Sequence, residues 1–318
     1  MKKIPLIVIV GPTASGKTGL AVALAKKYNG EIISADSMQI YKHMDIGTAK
    51  PTKEEMQNIP HHMIDFFEPS KNFSVAEYVP LAKACIQEVY GRGKQPILVG
   101  GTGLYIDSLL NNVQFGEMQI DVAFRAYLDE LYNEKGNEYV YNLLNEIDPE
   151  CAQNIHYNNR GRVIRALEVY RLTGMKMSDY QKLAISKSSD YDTLIIGLCV
   201  KDRSYLYDRI HTRIDDMMEQ GLLQETKFLL DHNFCSTAVQ AIGYKELFAY
   251  FTQNKPLEEC ITMLKQQTRR YAKRQLTWFR RNQNIHWIAI DIEQDSMAVS
   301  EHIIDQNGVF KKILESTY

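Results

Sequence analysis

An apolar run near the N-terminus is followed directly by a glycine-rich loop. Residues 6–10 (LIVIV) predict a buried strand, and residues 11–18 (GPTASGKT) have the spacing G-x-x-x-x-G-K-S/T. The apolar residues in 20–25 then predict a helix. A strand, a loop and a helix in this order can surround phosphate oxygens with backbone N–H groups and the positive end of a helix dipole. Glycine-rich turns also join strands to helices without a ligand, but both flanking elements together favour a polyphosphate site.

The loop suggests a chemical role for two of its side chains. Lys17 would reach the outer phosphates, and the Thr18 hydroxyl would bind a Mg²⁺ ion. The predicted phosphate-binding residues are Gly11, Pro12, Thr13, Ala14, Ser15, Gly16, Lys17 and Thr18.

Short apolar runs alternate with helical patterns in the first third of the chain, which is typical of a parallel sheet covered by helices on both faces. We therefore expect the α/β class, with a P-loop NTPase-like sheet. Residues 114–192 combine helical periodicity with many Tyr, Asn and Glu, and predict an inserted all-helical domain. The apolar run 194–200 predicts a return to the first sheet. The expected core domain is thus discontinuous, with residues 1–113 and 193–318 and basic helices near its C-terminal end.

Composition indicates the compartment and limits the partners. Five cysteines without C-x-x-C spacing indicate neither a disulfide framework nor a zinc site, so a reducing cytoplasm fits best. No apolar run approaches the length that crosses a bilayer, and the N-terminus lacks a signal-peptide cleavage pattern. We expect a monomeric cytoplasmic protein without a membrane partner. With a net charge of −2, any nucleic-acid binding must come from local clusters of Lys and Arg.

Two polar residues follow predicted strands of the sheet. Asp36 ends the apolar run 32–35, at the edge where open α/β sheets bind ligands. It is a candidate general base, although an Asp there could also hold Mg²⁺ through water or cap a turn. Thr102 lies in the glycine-rich turn 100–103. Its hydroxyl could contact a reacting group or, equally well from the spacing alone, cap the following helix.

The second half of the chain carries clustered basic residues. Arg209 and Arg213 are four residues apart and would share a helix face, where they could clamp a diphosphate or stay solvated or paired. Residues 265–281 carry seven basic residues and no acidic one, and a helical projection separates these charges from the aromatic residues. Because like charges repel one another without a polyanion, this favours a nucleic-acid footprint over a solvated face. A second, weaker cluster lies in the insertion and consists of Arg160, Arg162 and Arg165.

Six segments in order along nearly the whole chain resemble one family, the bacterial tRNA dimethylallyltransferases, also called tRNA isopentenyltransferases or IPP transferases. The resemblance implies transfer of a dimethylallyl group from dimethylallyl diphosphate to N6 of the adenosine immediately 3′ of the anticodon (tRNA position 37), with release of diphosphate. The glycine-rich loop 11–18, called the P-loop below, would then hold a leaving group and not ATP. The segments are GPTASGKT (11–18), SADSMQIY (34–41), MDIGTAKP (44–51), VGGTGLY (99–105), RVIRALEV (162–169) and QAIGYKE (240–246).

The resemblance also implies roles for individual residues. Lys17, the loop amides, Mg²⁺ and Arg213 would stabilise the departing diphosphate. Asp36 would accept or orient the N6 proton, and Thr102 would hydrogen-bond near the reacting amine. The adenine would leave its stack in the anticodon stem–loop to reach the donor carbon. The implied tRNA-contacting residues are Asp36, Ser37, Met38, Gln39, Thr102, Arg125, Gly161, Arg162, Val163, Ile164, Arg165, Gln240, Ala241, Ile242, Gly243, Tyr244, Lys245, Lys273, Arg274 and Arg280.

Two other functions would use part of the same pattern. A small-molecule P-loop kinase would place ATP in the same cradle, but it leaves the basic stretch 265–281 without a partner. An RNA-binding module with a nucleotide-controlled switch would use the basic stretch, but it gives Asp36 and Thr102 no joint task. Ligand preference separates the three functions, because only the transferase consumes a prenyl diphosphate together with tRNA.

Overall fold

The computed structural model describes residues 3–116, 120–184, 189–232, 234–293, 295–308 and 310. The chain divides into two compact units, a discontinuous unit of residues 1–110 and 190–318 and a continuous unit of residues 111–189. The expected insertion, 114–192, begins and ends three residues later than this unit. The difference at its end arises because Tyr191 and Asp192 already pair with Ile4 and Pro5 of the first strand. Because Tyr191 and Asp192 carry polar groups, the apolar pattern did not indicate that the strand begins with them.

The discontinuous unit contains a six-stranded sheet in the order β3-β2-β4-β1-β5-β6, and each neighbouring pair of strands is parallel. The sheet confirms the expected α/β class, and it also confirms that the chain returns to the sheet after the insertion. Because the strands are parallel, their C-terminal ends meet at one edge, where polar side chains can converge. The strands are β1 (Ile4–Val10), β2 (Gly30–Ser34), β3 (His61–His62), β4 (Gln95–Gly100), β5 (Tyr191–Cys199) and β6 (Ile285–Ala289).

Helices cover the sheet of this unit and bury its apolar strands. The central strand β1 is buried from Pro5 to Val10, as expected for a strand packed on both faces. One core cluster packs Leu20 and Leu24 of the first helix against Ile7 and Ile97 of the sheet. The helices are α1 (Lys17–Lys27), α2 (Lys53–Met56), α3 (Val75–Gly91), α4 (Gly103–Leu110), α9 (Arg203–Glu219), α10 (Leu222–Asp231), α11 (Ser236–Val239), α12 (Lys245–Gln253), α13 (Leu257–Phe279) and α14 (Ser296–Gln306).

The continuous unit is helical throughout its described elements and has a core of its own. Leu128, Leu144, Val163 and Leu167 are buried in this core, so the unit satisfies its apolar faces internally. The first helix bends at Gly136, whose φ of +82° lies in the left-handed region that favours glycine. The helices are α5 (Val122–Ile147), α6 (Pro149–Gln153), α7 (Arg160–Thr173) and α8 (Met177–Ala184).

None of the helices in the described ranges is long and apolar enough to cross a bilayer.

Candidate active site

A cavity of about 390 Å³ lies in the discontinuous unit at the C-terminal edge of the sheet. The loop after β1, the segment after β2 and the glycine-rich turn after β4 form its walls together with α9 and α13. The cavity therefore brings together segments that are more than 250 residues apart in the chain, such as Thr13 and Gln275. Polar lining comes from Lys17, Asp36 and Arg213, and apolar lining from residues such as Ile32 and Ile214.

The P-loop backbone is arranged as an anion cradle. Gly11 and Gly16 have φ values of +148° and +88°, and a Cβ at Gly11 would lie 2.7 Å from the Leu198 carbonyl oxygen. Gly16 precedes α1 without a side-chain cap, so the helix keeps unsatisfied N–H groups at its N-terminus. The Ser15 hydroxyl is buried and has no hydrogen-bond partner within the described chain. These features support the predicted phosphate site, because a bound phosphate would satisfy such donors.

The pKa of Lys17 makes its protonation state sensitive to a bound anion. Its ammonium donates a 2.7 Å hydrogen bond to the Pro12 carbonyl oxygen. The pKa of Lys17 is lowered to about 7, mainly by burial and also by the Arg213 cation, while the Asp36 carboxylate opposes the shift. A diphosphate beside the ammonium would favour its charged form.

Arg209 and Arg213 of α9 each contact the P-loop. Arg213 donates from Nη1 to the Thr13 hydroxyl at 3.1 Å, and Arg209 donates from Nε to the Ala14 carbonyl oxygen at 2.7 Å. Arg213 lines the cavity and is partly buried, and this burial lowers its pKa from the ordinary arginine value. The sequence left open whether these residues are solvated or clamp a phosphate. Their position beside the loop, with one guanidinium lining the cavity, favours the clamp.

Asp36 and Thr102 meet through Ser37. One Asp36 carboxylate oxygen accepts a 2.9 Å hydrogen bond from the Met38 amide, so the residue does cap a turn. The Thr102 hydroxyl accepts from the Ser37 amide at 3.0 Å and lies 3.3 Å from the Ser37 hydroxyl. The Thr102 side chain therefore faces the segment after β2, while only its carbonyl oxygen accepts from the first turn of α4. Asp36 and Ser37 thus line the cavity, whereas Thr102 is not among its lining residues and adjoins it through Ser37.

Gln275, which no sequence pattern indicated, connects two walls of the cavity. This buried side chain accepts a 2.8 Å hydrogen bond from the Thr13 amide and donates a 3.0 Å hydrogen bond to the Gly101 carbonyl oxygen. A Cβ at Gly101 would lie 2.1 Å from Gln275 Nε2, which explains why the turn carries glycine. The paired glycines were the available signal of a close approach, but they do not say which residue approaches.

Replacing Gln275 by leucine is expected to lower the free energy of unfolding by about 2 kcal/mol, because the Thr13 amide and the Gly101 carbonyl would lose their buried partner. Urea unfolding monitored by circular dichroism measures this change. Gln267, a partly exposed glutamine of α13, provides the control, and its replacement by leucine should change stability by less than about 0.5 kcal/mol. Equal losses in the two variants would contradict the bridging role.

The basic half of α13 is only partly available to a polyanion, which corrects the projection from sequence. Lys265 pairs with Asp215 at 2.5 Å and Arg269 contacts His211 at 2.6 Å, so two charges face α9. The helix ends at Phe279, and Arg281 beyond it packs over the Trp278 ring at 4.0 Å. The exposed basic residues, for which the described residues offer no ion pair, are Arg270, Lys273, Arg274 and Arg280.

The segment 240–245 contributes to the cavity with one exception. Gln240, Ala241, Ile242, Gly243 and Lys245 line the cavity. The side chain of Tyr244 is instead fully buried and donates a 2.7 Å hydrogen bond to Glu225. Its expected contact with tRNA is corrected to a packing role for its side chain.

In the helical unit, a buried carboxylate organises two of the expected RNA-contacting arginines. Arg125 donates two 2.7 Å hydrogen bonds to Glu168, and Arg165 donates one of 2.6 Å. Burial alone would raise the pKa of Glu168, but the hydrogen bonds from both arginines lower it below its ordinary value. Gly161 and Arg162 are exposed, as a contact surface requires.

Val163 and Ile164 differ from their neighbours on α7. Their side chains are buried in the core of the helical unit, with 0% and 8% exposure. The helix turns these two positions inward, so the expected side-chain contact with tRNA is corrected to core packing.

Comparisons with known proteins show that the chain is similar to the members of one family. The family model described as IPP transferase matches residues 39–282. A tRNA dimethylallyltransferase from Thermoanaerobacter sp. (strain X514) is 50% identical over 304 residues, covering 95% of this chain and 96% of its own length. The corresponding protein from Bacillus licheniformis is 50% identical over 306 residues, covering 95% and 97%.

Solved structures lead to the same family. The crystal structure of a full-length tRNA isopentenylpyrophosphate transferase from Bacillus halodurans is similar with a TM-score of 0.71 and 45% identity, covering 99% of this chain and 98% of that one. A eukaryotic dimethylallyltransferase acting on tRNA has a TM-score of 0.79 and 32% identity, covering 97% of this chain and 80% of its own.

Proposed function

Because this chain belongs to the IPP transferase family, we propose that it is a tRNA dimethylallyltransferase that modifies N6 of the adenosine immediately 3′ of the anticodon. The donor is dimethylallyl diphosphate, and the acceptor lies in the anticodon stem–loop. The observation that carries this proposal is that one cavity contains Lys17, Arg213 and Asp36. It combines groups for a polyphosphate leaving group with a carboxylate for the attacking amine.

The reaction exchanges one bond for another. The lone pair of N6 forms a bond to C1 of the donor, and the C1–O bond breaks with its electron pair passing to the diphosphate. The N6 proton passes to Asp36, and the Thr102 hydroxyl orients the amine beside it. Lys17, Arg213 and the loop amides stabilise the negative charge that develops on the diphosphate.

The residues present fit a magnesium ion bound mainly through the substrate. No group of three or more His, Cys, Asp or Glu residues suited to a metal occurs in the described chain. Thr18 lines the cavity, and its hydroxyl would supply one ligand beside diphosphate oxygens and water. When bound, Mg²⁺ neutralises charge on the leaving group.

The proposed enzyme works as a monomer in the cytoplasm.

Transfer of label from dimethylallyl diphosphate to unmodified tRNA, in the presence of Mg²⁺, tests the proposal. We expect label in the RNA, and its position follows from nuclease digestion and identification of the modified nucleoside. Parallel reactions with labelled ATP test the alternative use of the P-loop. Rapid ATP consumption without RNA, together with no transfer of the prenyl group, would overturn the proposal.

The exposed cations of α13 and of its C-cap, Arg280, should contribute to tRNA affinity. Replacing Arg274 or Arg280 by alanine is expected to weaken binding and to reduce the slope of log Kd against log salt concentration by about 0.7–0.9 for each lost phosphate contact. Filter binding between low and moderate salt measures the slope.

Lys265 provides a matched control for these variants. It carries the same type of charge on the same helix but pairs with Asp215. Replacing Lys265 by alanine should therefore leave the slope unchanged, and an unchanged slope in the Arg274 and Arg280 variants would identify these residues as solvated surface.

A further inference from the structure

A carboxylate on α10 gathers backbone amides from a distant loop. Glu225 Oε2 accepts hydrogen bonds from the Asp45 and Ile46 amides, each at 2.9 Å. Glu225 Oε1 accepts from the Gly47 amide at 2.9 Å and from the Tyr244 hydroxyl at 2.7 Å. Four donors therefore converge on one partly buried side chain.

We call Glu225 and its four donors the clamp, which binds the loop 45–47 strongly for a single side chain. Three successive backbone N–H groups form a concave donor set that suits an anion, and bonds to a carboxylate are stronger than bonds between neutral groups. Burial and the neighbouring Glu225 raise the pKa of Tyr244 far above the ordinary tyrosine value. The phenol consequently stays protonated and keeps donating to Glu225.

Glycine makes the close packing around the clamp possible. A Cβ at Gly47 would lie 2.5 Å from the Tyr244 ring carbon Cζ, and a Cβ at Gly243 would lie 3.3 Å from the Gly47 carbonyl oxygen. Gly243 also has a φ of +113°, which a residue with a side chain rarely adopts. The segments MDIGTAKP (44–51) and QAIGYKE (240–246) thus pack against each other, with Glu225 joining them.

The clamped loop in turn holds a side chain of the cavity. Gln39 Nε2 donates to the carbonyl oxygens of Thr48 at 3.2 Å and Ala49 at 3.1 Å. Its Oε1 lies 3.4 Å from the Ser34 hydroxyl, which donates to it. Gln39, Thr48 and Ala49 all line the cavity that contains Asp36. The position of the loop therefore fixes the orientation of the Gln39 amide.

We infer that Glu225 is a positioning residue for the RNA substrate: it holds residues 45–47 so that the Thr48 and Ala49 carbonyls orient Gln39 toward the base that enters the cavity. This inference rests on the proposed function and on the contact of Gln39 with tRNA that the family resemblance implies. Glu225 itself acts through the loop, and its clamp does not include the P-loop.

Kinetics of Glu225→Gln test the inference. The amide can supply one acceptor oxygen but puts an N–H₂ group against the remaining donors, so the loop loosens. We expect KM for tRNA to rise about tenfold, while the Kd for dimethylallyl diphosphate stays within about twofold. Glu219→Gln, at an exposed position of α9, is the control and should match the wild type in both quantities.

A double variant separates positioning from general destabilisation. If Glu225 acts through Gln39, Glu225→Gln should add little to the tRNA KM of a Gln39→Ala enzyme. Tyr244→Phe removes one of the four donors and should raise KM for tRNA by about two- to fivefold, which keeps the test open if Glu225→Gln does not fold. Thermal unfolding of each variant records the loss of stability.

Three results would overturn the inference. In the first, Glu225→Gln has the same KM for tRNA as Glu219→Gln. In the second, the increase in KM for tRNA caused by Glu225→Gln adds fully to that caused by Gln39→Ala. In the third, Glu225→Gln weakens the binding of donor and of tRNA equally, in proportion to its loss of stability. A wild-type enzyme that transfers no prenyl group to tRNA would instead refute the proposed function, and the inference with it. The wild-type assay therefore distinguishes the two failures.

Discussion

Replacing Asp36 by alanine is expected to lower the turnover number about 100-fold or more, while the affinity for tRNA changes by no more than about twofold. The carboxylate lines the same cavity as Lys17 and Arg213, where the diphosphate of the donor would bind. Without Asp36, the amine must lose its proton to water as the new bond forms. Single-turnover transfer at saturating donor and tRNA measures the rate, and filter binding measures the affinity.

Asparagine at position 36 separates the chemical role of the residue from its structural one. The Met38 amide donates to one Asp36 oxygen, and an asparagine oxygen can accept the same hydrogen bond. The neutral amide cannot accept a proton, so Asp36→Asn should be nearly as slow as Asp36→Ala. A wild-type rate in Asp36→Asn, with a slow Asp36→Ala enzyme, would show that the residue only caps the turn.

The parts of the site that are close together in sequence were predicted from sequence. The P-loop needs only its own spacing, because strand, glycine turn and helix follow one another within residues 4–27. The returning strand β5 was also predicted, since its residues 194–198 are apolar. Periodicity and motif spacing are local signals, and they describe local structure well.

Contacts between distant segments could not be predicted in the same way. The Thr13 amide meets Gln275 across 262 residues, and the Asp45 amide meets Glu225 across 180 residues. A lone Gln or Glu in a helix gives no local indication of such a partner. The charges of α13 show the same limit, because the helical projection contains Lys265 but not the Asp215 that neutralises it.

Lys17 should bind the diphosphate as a cation and should take up a proton in doing so. Its pKa of about 7 in the free enzyme means that it is about nine-tenths neutral at pH 8. A bound diphosphate raises this pKa, because the anion favours the charged ammonium. Binding at pH 8 is therefore expected to take up close to one proton, and affinity should fall as pH rises above 7, by at most about tenfold per unit.

Calorimetry of diphosphate binding in buffers with different ionisation enthalpies measures the proton uptake. Lys17→Arg keeps a permanent cation, so its binding should show less uptake by nearly one proton and a flatter pH dependence; the protons of the ligand itself cancel in this comparison. Lys17→Met loses the charge altogether and should lower kcat/KM for the donor about 10²–10³-fold. Equal proton uptake by the wild type and Lys17→Arg would show that the Lys17 ammonium does not pair with the diphosphate, and the site would then depend on Arg213 and the loop amides for its charge.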